Sequence, residues 1–224
     1  MFEPQDWIEA LQKHLRPHAN KKLAEPMAQY MQNHFPFLGI KAPKRKTLFQ
    51  EFCKMDNLPP VDHLTEVIKG LYDLPEREYQ MVAVLLAKKM RRHLHPGHQD
   101  LLWFMITEKS WWDTVDDIAS NLIGYVLQRF PDQTPTWNEA LIRSTNLWLR
   151  RTGLLFQLKY KQDLDEALLF ENIRLTAQEP DFFIRKAIGW ALRQHSKVAP
   201  EAVRTFIQET ELSTLSIREG SKYL

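Results

Sequence analysis

The chain has 224 residues, 44% of them hydrophobic and only seven glycine, which suits a large helical core and excludes a turn-rich β protein. A formal charge of +2 excludes nucleic-acid recognition by bulk charge alone, so any basic surface must come from arrangement. The single cysteine, Cys53, excludes an internal disulfide. The absence of a signal-peptide core or a long apolar run leads us to expect a soluble cytoplasmic protein.

Residues 4–15, with Pro4, Trp7, Ile8 and Leu11, read as an amphipathic helix, and 20–35 as a second. The loop from Phe37 to Pro43 leads into a basic helix start, Lys44-Arg45-Lys46. Cys53 follows in an apolar-patterned stretch and reads as a core residue. Further helical patterns cover 61–72, 76–94, 98–108, 113–130, 136–145, 147–160, 165–178, 182–196, 200–209 and 214–223, punctuated by Pro, Asn and Asp. No stretch alternates with period two long enough to demand a strand, so the expectation is all-α.

Ser110-Trp111-Trp112-Asp113-Thr114-Val115-Asp116-Asp117 opens one of these helices, with Ser110 and Asp113 at capping-box spacing. The i, i+4 spacing puts Trp112 and Asp116 on one face of the first turn. An aromatic plane beside a carboxylate suits a developing cation. The plainer reading is a first-turn acid favoured by the helix dipole and a tryptophan stapling the cap.

The chain also repeats. Helix openings fall at Glu78, Asp113, Trp148 and Phe183, each 35 residues after the last, with Pro43 and Arg218 one step before and after. The columns Val84, Ala119, Leu154, Gly189 and Ala83, Ile118, Gly153, Ile188 are apolar or small throughout. A period of 35 with two helices per unit predicts an α-solenoid of HEAT-like helical pairs, one domain spanning 1–224. The column through Asp116 reads Lys46, Met81, Asp116, Arg151, Lys186 and predicts a solvated face, while Lys186, Trp190 and Arg193 share one stripe. A curved stack would gather Lys46, Asp116, Arg151, Lys186 and Trp190 in a concave groove, basic except for one carboxylate and able to follow a phosphate backbone. Taken singly, Trp190 reads as core, and Arg150-Arg151 and Arg185-Lys186 as solvated pairs. Trp7, Trp103, Trp137 and Trp148 read as packing. His93, His95 and His98 read as a solvated loop rather than metal ligands. No Walker loop, Gly-x-Ser-x-Gly, His-Glu-x-x-His or Gly-x-Gly-x-x-Gly occurs, so neither cofactor nor metal is expected.

Three segments then carry a resemblance. Ser110-Trp111-Trp112-Asp113-Thr114-Val115-Asp116, Trp148-Leu149-Arg150-Arg151 running to Lys161, and Lys186-Ala187-Ile188-Gly189-Trp190-Ala191-Leu192-Arg193 resemble the AlkD-type DNA alkylation-repair glycosylases. Ala24 to Met31, His34 to Ile40 and Asp73 to Glu78 match as well, so the resemblance covers nearly the whole chain in order. It implies a HEAT-like solenoid that holds duplex DNA in its concave cleft and excises cationic alkylpurines such as 3-methyladenine and 7-methylguanine, without flipping the base. By resemblance, Trp112, Asp116 and Trp190 line the catalytic cleft, and Tyr30, Arg151 and Arg193 face DNA, beside Lys46 and Lys186 from the repeat register. Lys41 stands where the family pattern has Gln, an added charge that bears on phosphate contact or on the base opposite the lesion. The expected state is a cofactor-free cytoplasmic monomer, nucleoid-associated when bound, with double-stranded alkylated DNA as partner and no membrane or metal. The alternative is a non-catalytic HEAT-like scaffold that binds DNA or a protein; the full Trp112, Asp116, Trp190 set favours the enzyme.

Overall fold

The computed structural model describes residues 2–54 and 57–224. They are helical throughout, with no strand among the described residues, and none of their helices is long and apolar enough to cross a membrane. The chain divides into two compact units, Met1–His93 and Leu94–Leu224.

The first unit holds α1 (Pro4–Leu15), α2 (Lys21–Tyr30), α3 (Ala42–Lys54), α4 (Leu64–Asp73) and α5 (Arg77–Lys89). Pro4 sits in the first turn of α1, where a missing N–H costs nothing, and Trp7, Ile8, Leu11 and Leu15 form its buried stripe. The pattern expected over 20–35 stops at Tyr30. Gln32 and Asn33 adopt left-handed φ values of 55° and 58°, and Asn33 N donates to Ala28 O at 2.8 Å, which closes the helix end. Cys53 is buried as expected, and burial pushes its thiol up.

One buried carboxylate organises the loop after α2. Glu78 accepts the N–H groups of Leu38, Gly39 and Ile40 at 2.9, 2.9 and 3.0 Å. Arg77 N donates to Pro36 O, and its guanidinium lies 4.0 Å over the Phe35 ring. Gly39 is required here: its φ is +86°, and a Cβ would stand 2.1 Å from Asn20 O.

The second unit runs through α6 (Gln99–Thr107), α7 (Trp112–Ile118), a π turn at Ala119–Ile123, α8 (Gly124–Arg129) and α9 (Thr134–Ile142). It continues with α10 (Leu147–Leu155), α11 (Glu166–Thr176), α12 (Phe182–His195), α13 (Pro200–Glu209) and α14 (Thr214–Gly220). The single helix expected over 113–130 is therefore interrupted by a π turn, a feature with no signature in the side-chain pattern. The pattern over 147–160 is shorter than expected too, because the chain leaves α10 and reaches left-handed Lys161, with Gln157 tying both backbone groups of Asp165.

The period of 35 is visible in the helix starts. Ala42, Trp112, Leu147 and Phe182 open helices in step with Arg77, one residue ahead of the expected openings; α14 breaks step by starting at Thr214. Both predicted apolar columns are buried. In the second unit Ala119, Leu154 and Ile188 join Leu155, Ile184, Leu192 and Phe206 in one core cluster. Each such large side chain contributes about 1.5–3 kcal/mol by leaving water. A reciprocal amide pair, Asn138 with Asn172, crosses α9 and α11 at 2.9 and 2.7 Å, and Asn172 also donates to Gly153 O, so these buried amides find partners.

Candidate active site

The start of α7 differs from its counterparts in the later repeats. Asn146 and Asp181 cap α10 and α12 by accepting first-turn N–H groups, whereas the residue in that position before α7 is Trp111. The expected capping box is absent. Ser110 Oγ donates backwards to Ile106 O and Thr107 O at 2.7 and 2.8 Å, serving the end of α6 instead. Trp111 is held extended, with its ring 5.6 Å from Trp148 and 5.1 Å from Phe183. This aromatic cluster anchors the helix start and turns the neighbouring Trp112 into a cavity of about 250 Å³, with Asp116 one turn further on. Trp148 is thus a packing residue, as expected, and so are buried Trp7 and Trp137, with Trp103 edge-on to Trp137.

Arg151, 35 residues beyond Asp116, meets it from α10. Nε donates to Oδ1 at 2.7 Å and Nη2 to Oδ2 at 2.8 Å, a two-pronged pair, while Nη1 donates to Phe183 O. The side chains of Arg151 and Asp116 are only 6% and 14% exposed, so these two members of the column expected to be solvated are buried, whereas Lys46 is exposed and the Lys186 side chain is 37% exposed. The adjacent Arg150 turns the other way, to Glu179 at 2.9 Å. Burial pushes the Asp116 carboxyl above its ordinary value of 3.8; the guanidinium pulls it down, and Asp113 and Asp117 push it up further. The result is a carboxylate fixed in direction yet under-stabilised in its charged form.

The far wall comes from α12, where Lys186, Trp190 and Arg193 line the same cavity on one stripe. Trp190 is only partly buried and packs on the core cluster with its remaining surface. The expectation of a single carboxylate is corrected here, because Glu219 of α14 also lines the cavity. It meets Lys186 at 3.1 Å, Arg193 at 3.2 Å and Lys222 at 2.7 Å, and Lys222 and Lys186 hold its carboxyl down to about 2. Glu219 escaped sequence reasoning because α14 is out of step with the repeat. A second hollow, of about 210 Å³, shares Trp112, Arg151 and Lys186 and is closed by Phe182 and Phe183.

The remaining candidates lie in the first unit. Tyr30, 71% exposed, and Lys41 line a largely apolar hollow of about 360 Å³ with Met27, Phe37, Arg45 and Met81, and Lys46 is exposed on α3. His95 and His98 cap a short turn reciprocally, Nδ1 of each accepting a backbone N–H. No cluster of three His, Cys, Asp or Glu side chains among the described residues is placed to hold a metal.

The sequence matches the family model described as DNA alkylation repair enzyme over residues 11–224. A predicted DNA alkylation repair enzyme from Enterococcus faecalis is similar in structure, with a TM-score of 0.86 and 35% identity over 92% of this chain and 96% of its own. AlkD2 from Streptococcus mutans and smu.31 from Streptococcus mutans UA159 share the fold at TM-scores of 0.61. Each is 18% identical over 79% of this chain, covering 88% and 90% of their own chains respectively. No curated protein matches the sequence.

Proposed function

Since the chain belongs to the DNA alkylation repair enzyme family, we propose that it is a DNA glycosylase that removes cationic alkylated purines, 3-methyladenine and 7-methylguanine, from duplex DNA. The observation that carries this reading is the Asp116 carboxylate, aimed by Arg151 into a cavity walled by Trp112 and Trp190.

A purine alkylated at N3 or N7 already carries positive charge, so it leaves without a general acid, and one carboxylate does the work that glycosidases usually divide between two. As the C1′–N bond breaks, its electron pair neutralises the purine and positive charge passes to the deoxyribose. Asp116 opposes that charge, and the electron-rich faces of Trp112 and Trp190 favour it. Arg151 occupies one direction on each carboxylate oxygen and leaves lone pairs for a water. That water adds its oxygen to C1′ and gives its proton to Asp116, and the products are a neutral alkylpurine and an abasic site.

The reading includes catalysis without base extrusion. The cavity's polar groups form two charge clusters, with no Asn, Gln, Ser or Thr among its lining residues to read a base edge. Charges of this kind suit the sugar-phosphate backbone instead, with Lys186 and Arg193 as the phosphate contacts, and Tyr30, Lys41 and Lys46 as contacts from the first unit. The protein is taken to act as a cofactor-free monomer in the cytoplasm.

The test is incubation with a duplex carrying one 7-methylguanine, reading free base and abasic sites. Release of 7-methylguanine is expected; binding to the duplex with no release would favour a non-catalytic DNA-binding scaffold.

A further inference from the structure

Glu219 belongs to no part of the chemistry above, yet it is the most heavily partnered acid beside the cavity. Lys186 reaches its Oε1, and Arg193 and Lys222 its Oε2, so both oxygens are engaged by cations from α12 and from the turn after α14. Each cation is held by few of its donors, because an ammonium has three N–H groups and a guanidinium five. Exposure shows the same division. The Glu219 side chain is 9% exposed, whereas those of Arg193, Lys186 and Lys222 are 27%, 37% and 46% exposed. The carboxylate is sunk and the cationic groups stay open.

The helix bearing Glu219 is set firmly against the site. A Cβ on Gly189 would stand 2.5 Å from Glu219 Cβ and 3.0 Å from Ser216 O, so α14 rests directly on α12 beside Trp190. Ser216 Oγ donates to Arg185 O at 3.0 Å and secures the same contact one residue from Lys186. Three like charges on long, flexible stems would otherwise repel and disperse among many rotamers.

We infer that Glu219 is a positioning residue: it gathers Lys186, Arg193 and Lys222 beside Trp190 so that their remaining donors grip the DNA backbone next to the lesion sugar. The inference rests on the DNA glycosylase reading and adds to it the residue that orders the phosphate grip. A carboxylate that merely competed with DNA for these cations would make the opposite change in one measurement.

That measurement is the affinity for an undamaged duplex, titrated across salt, for the unaltered protein, Glu219→Gln, Arg193→Ala and the double variant. Alone, Arg193→Ala is expected to weaken binding about tenfold and to flatten the salt slope by about one unit. In the Glu219→Gln background the same change is expected to cost threefold or less, because Arg193 is no longer held in place. An equal or larger cost there overturns the inference, and a larger one shows a competing counter-charge. Glu219→Gln should also slow single-turnover release of 7-methylguanine about tenfold at saturating protein; an unchanged rate overturns it too. Should the amide variant fail to fold, Glu219→Asp takes its place, with an expected Arg193→Ala cost between threefold and tenfold, and an undiminished cost counts against the inference. Duplex binding without base release would remove the glycosylase reading and leave the coupling to be judged by affinity alone. No duplex binding by the unaltered protein would remove both.

Discussion

Two carboxylates share one cavity and are treated in opposite ways. Asp116 is buried against a single guanidinium, and the cost of burial outweighs what Arg151 returns, so its carboxyl titrates above the ordinary range. Glu219 is surrounded by three cations, and its carboxyl is held down to about 2. A charge already satisfied has little left to offer a passing cation. An under-satisfied one gains most when positive charge develops in front of it. On the glycosylase reading proposed above, the contrast gives the chemistry to Asp116 and the architecture to Glu219, although both are acids in the same hollow.

The sharpest way to break this comparison is Asp116→Asn. Release of 7-methylguanine in a single turnover is expected to fall by about 10²–10³, the scale for one well-placed electrostatic group. The substitution also leaves the Arg151 guanidinium buried without its counter-charge, so unfolding stability should drop by about 3 kcal/mol in a denaturant titration. Asp116→Asn keeps the shape of the side chain, so this loss comes from the broken pair with Arg151 and not from altered packing. Undiminished release would return Asp116 to the role of a helix-end acid.

Stability and activity can then be separated. Replacing both partners, Asp116→Leu with Arg151→Met, should recover most of the lost stability, since well-packed apolar groups often match a buried ion pair. Activity should stay lost. Recovery of base release in this double variant would mean that the pair serves folding alone.

Gly189→Ala probes the other carboxylate through its support. The added methyl meets Glu219 Cβ and the α14 backbone, so a loss of about 1–3 kcal/mol in thermal or denaturant unfolding is expected, the scale of overpacking. Unchanged stability would show that α14 moves aside freely.

The smallest effect, and the one that opposes the two acids most directly, is the pH dependence of stability. A depressed carboxyl such as Glu219 binds fewer protons folded than unfolded, so its contribution is complete above about 4.5 and is lost as pH falls towards about 2. A raised carboxyl such as Asp116 binds more protons folded, so its burden on stability eases as pH falls through its folded value towards 3.8. Denaturant titrations from pH 2 to 6 should show Glu219→Gln flattening the acid-side loss. Base release should fade on acidification at a pH above the ordinary aspartate range. A fade only near pH 2 would point to the wrong acid.

Much of this arrangement was legible in the residues. The period of 35 placed the starts of α3, α5, α7, α10 and α12 to within one residue, and the spacing of Trp112 to Asp116 and of Lys186 to Trp190 to Arg193 put each set on one face. Side-chain periodicity sees which way a residue points, not what it meets. Hence Arg151 and Asp116 read as one charged column, although opposite charges a repeat apart neutralise each other and sink. Glu219 had no spacing to betray it, since α14 starts out of step. The π turn left no mark because it is a matter of backbone bonding, and Ser110 serves α6 because its hydroxyl lies within reach of the carbonyls behind it.

The Glu78 fastening in the first unit has a consequence in time rather than in energy. Loop amides normally trade their hydrogens with water quickly, yet those of Leu38, Gly39 and Ile40 all end on one buried carboxylate. They can exchange only when that carboxylate lets go, so three consecutive loop amides should behave like helix-core amides in deuterated water. Lys41 follows directly, and its backbone starts from a fixed point on the exchange timescale of minutes to hours while its side chain remains free to sample on that of nanoseconds. The loop supplies a still platform for a moving charge.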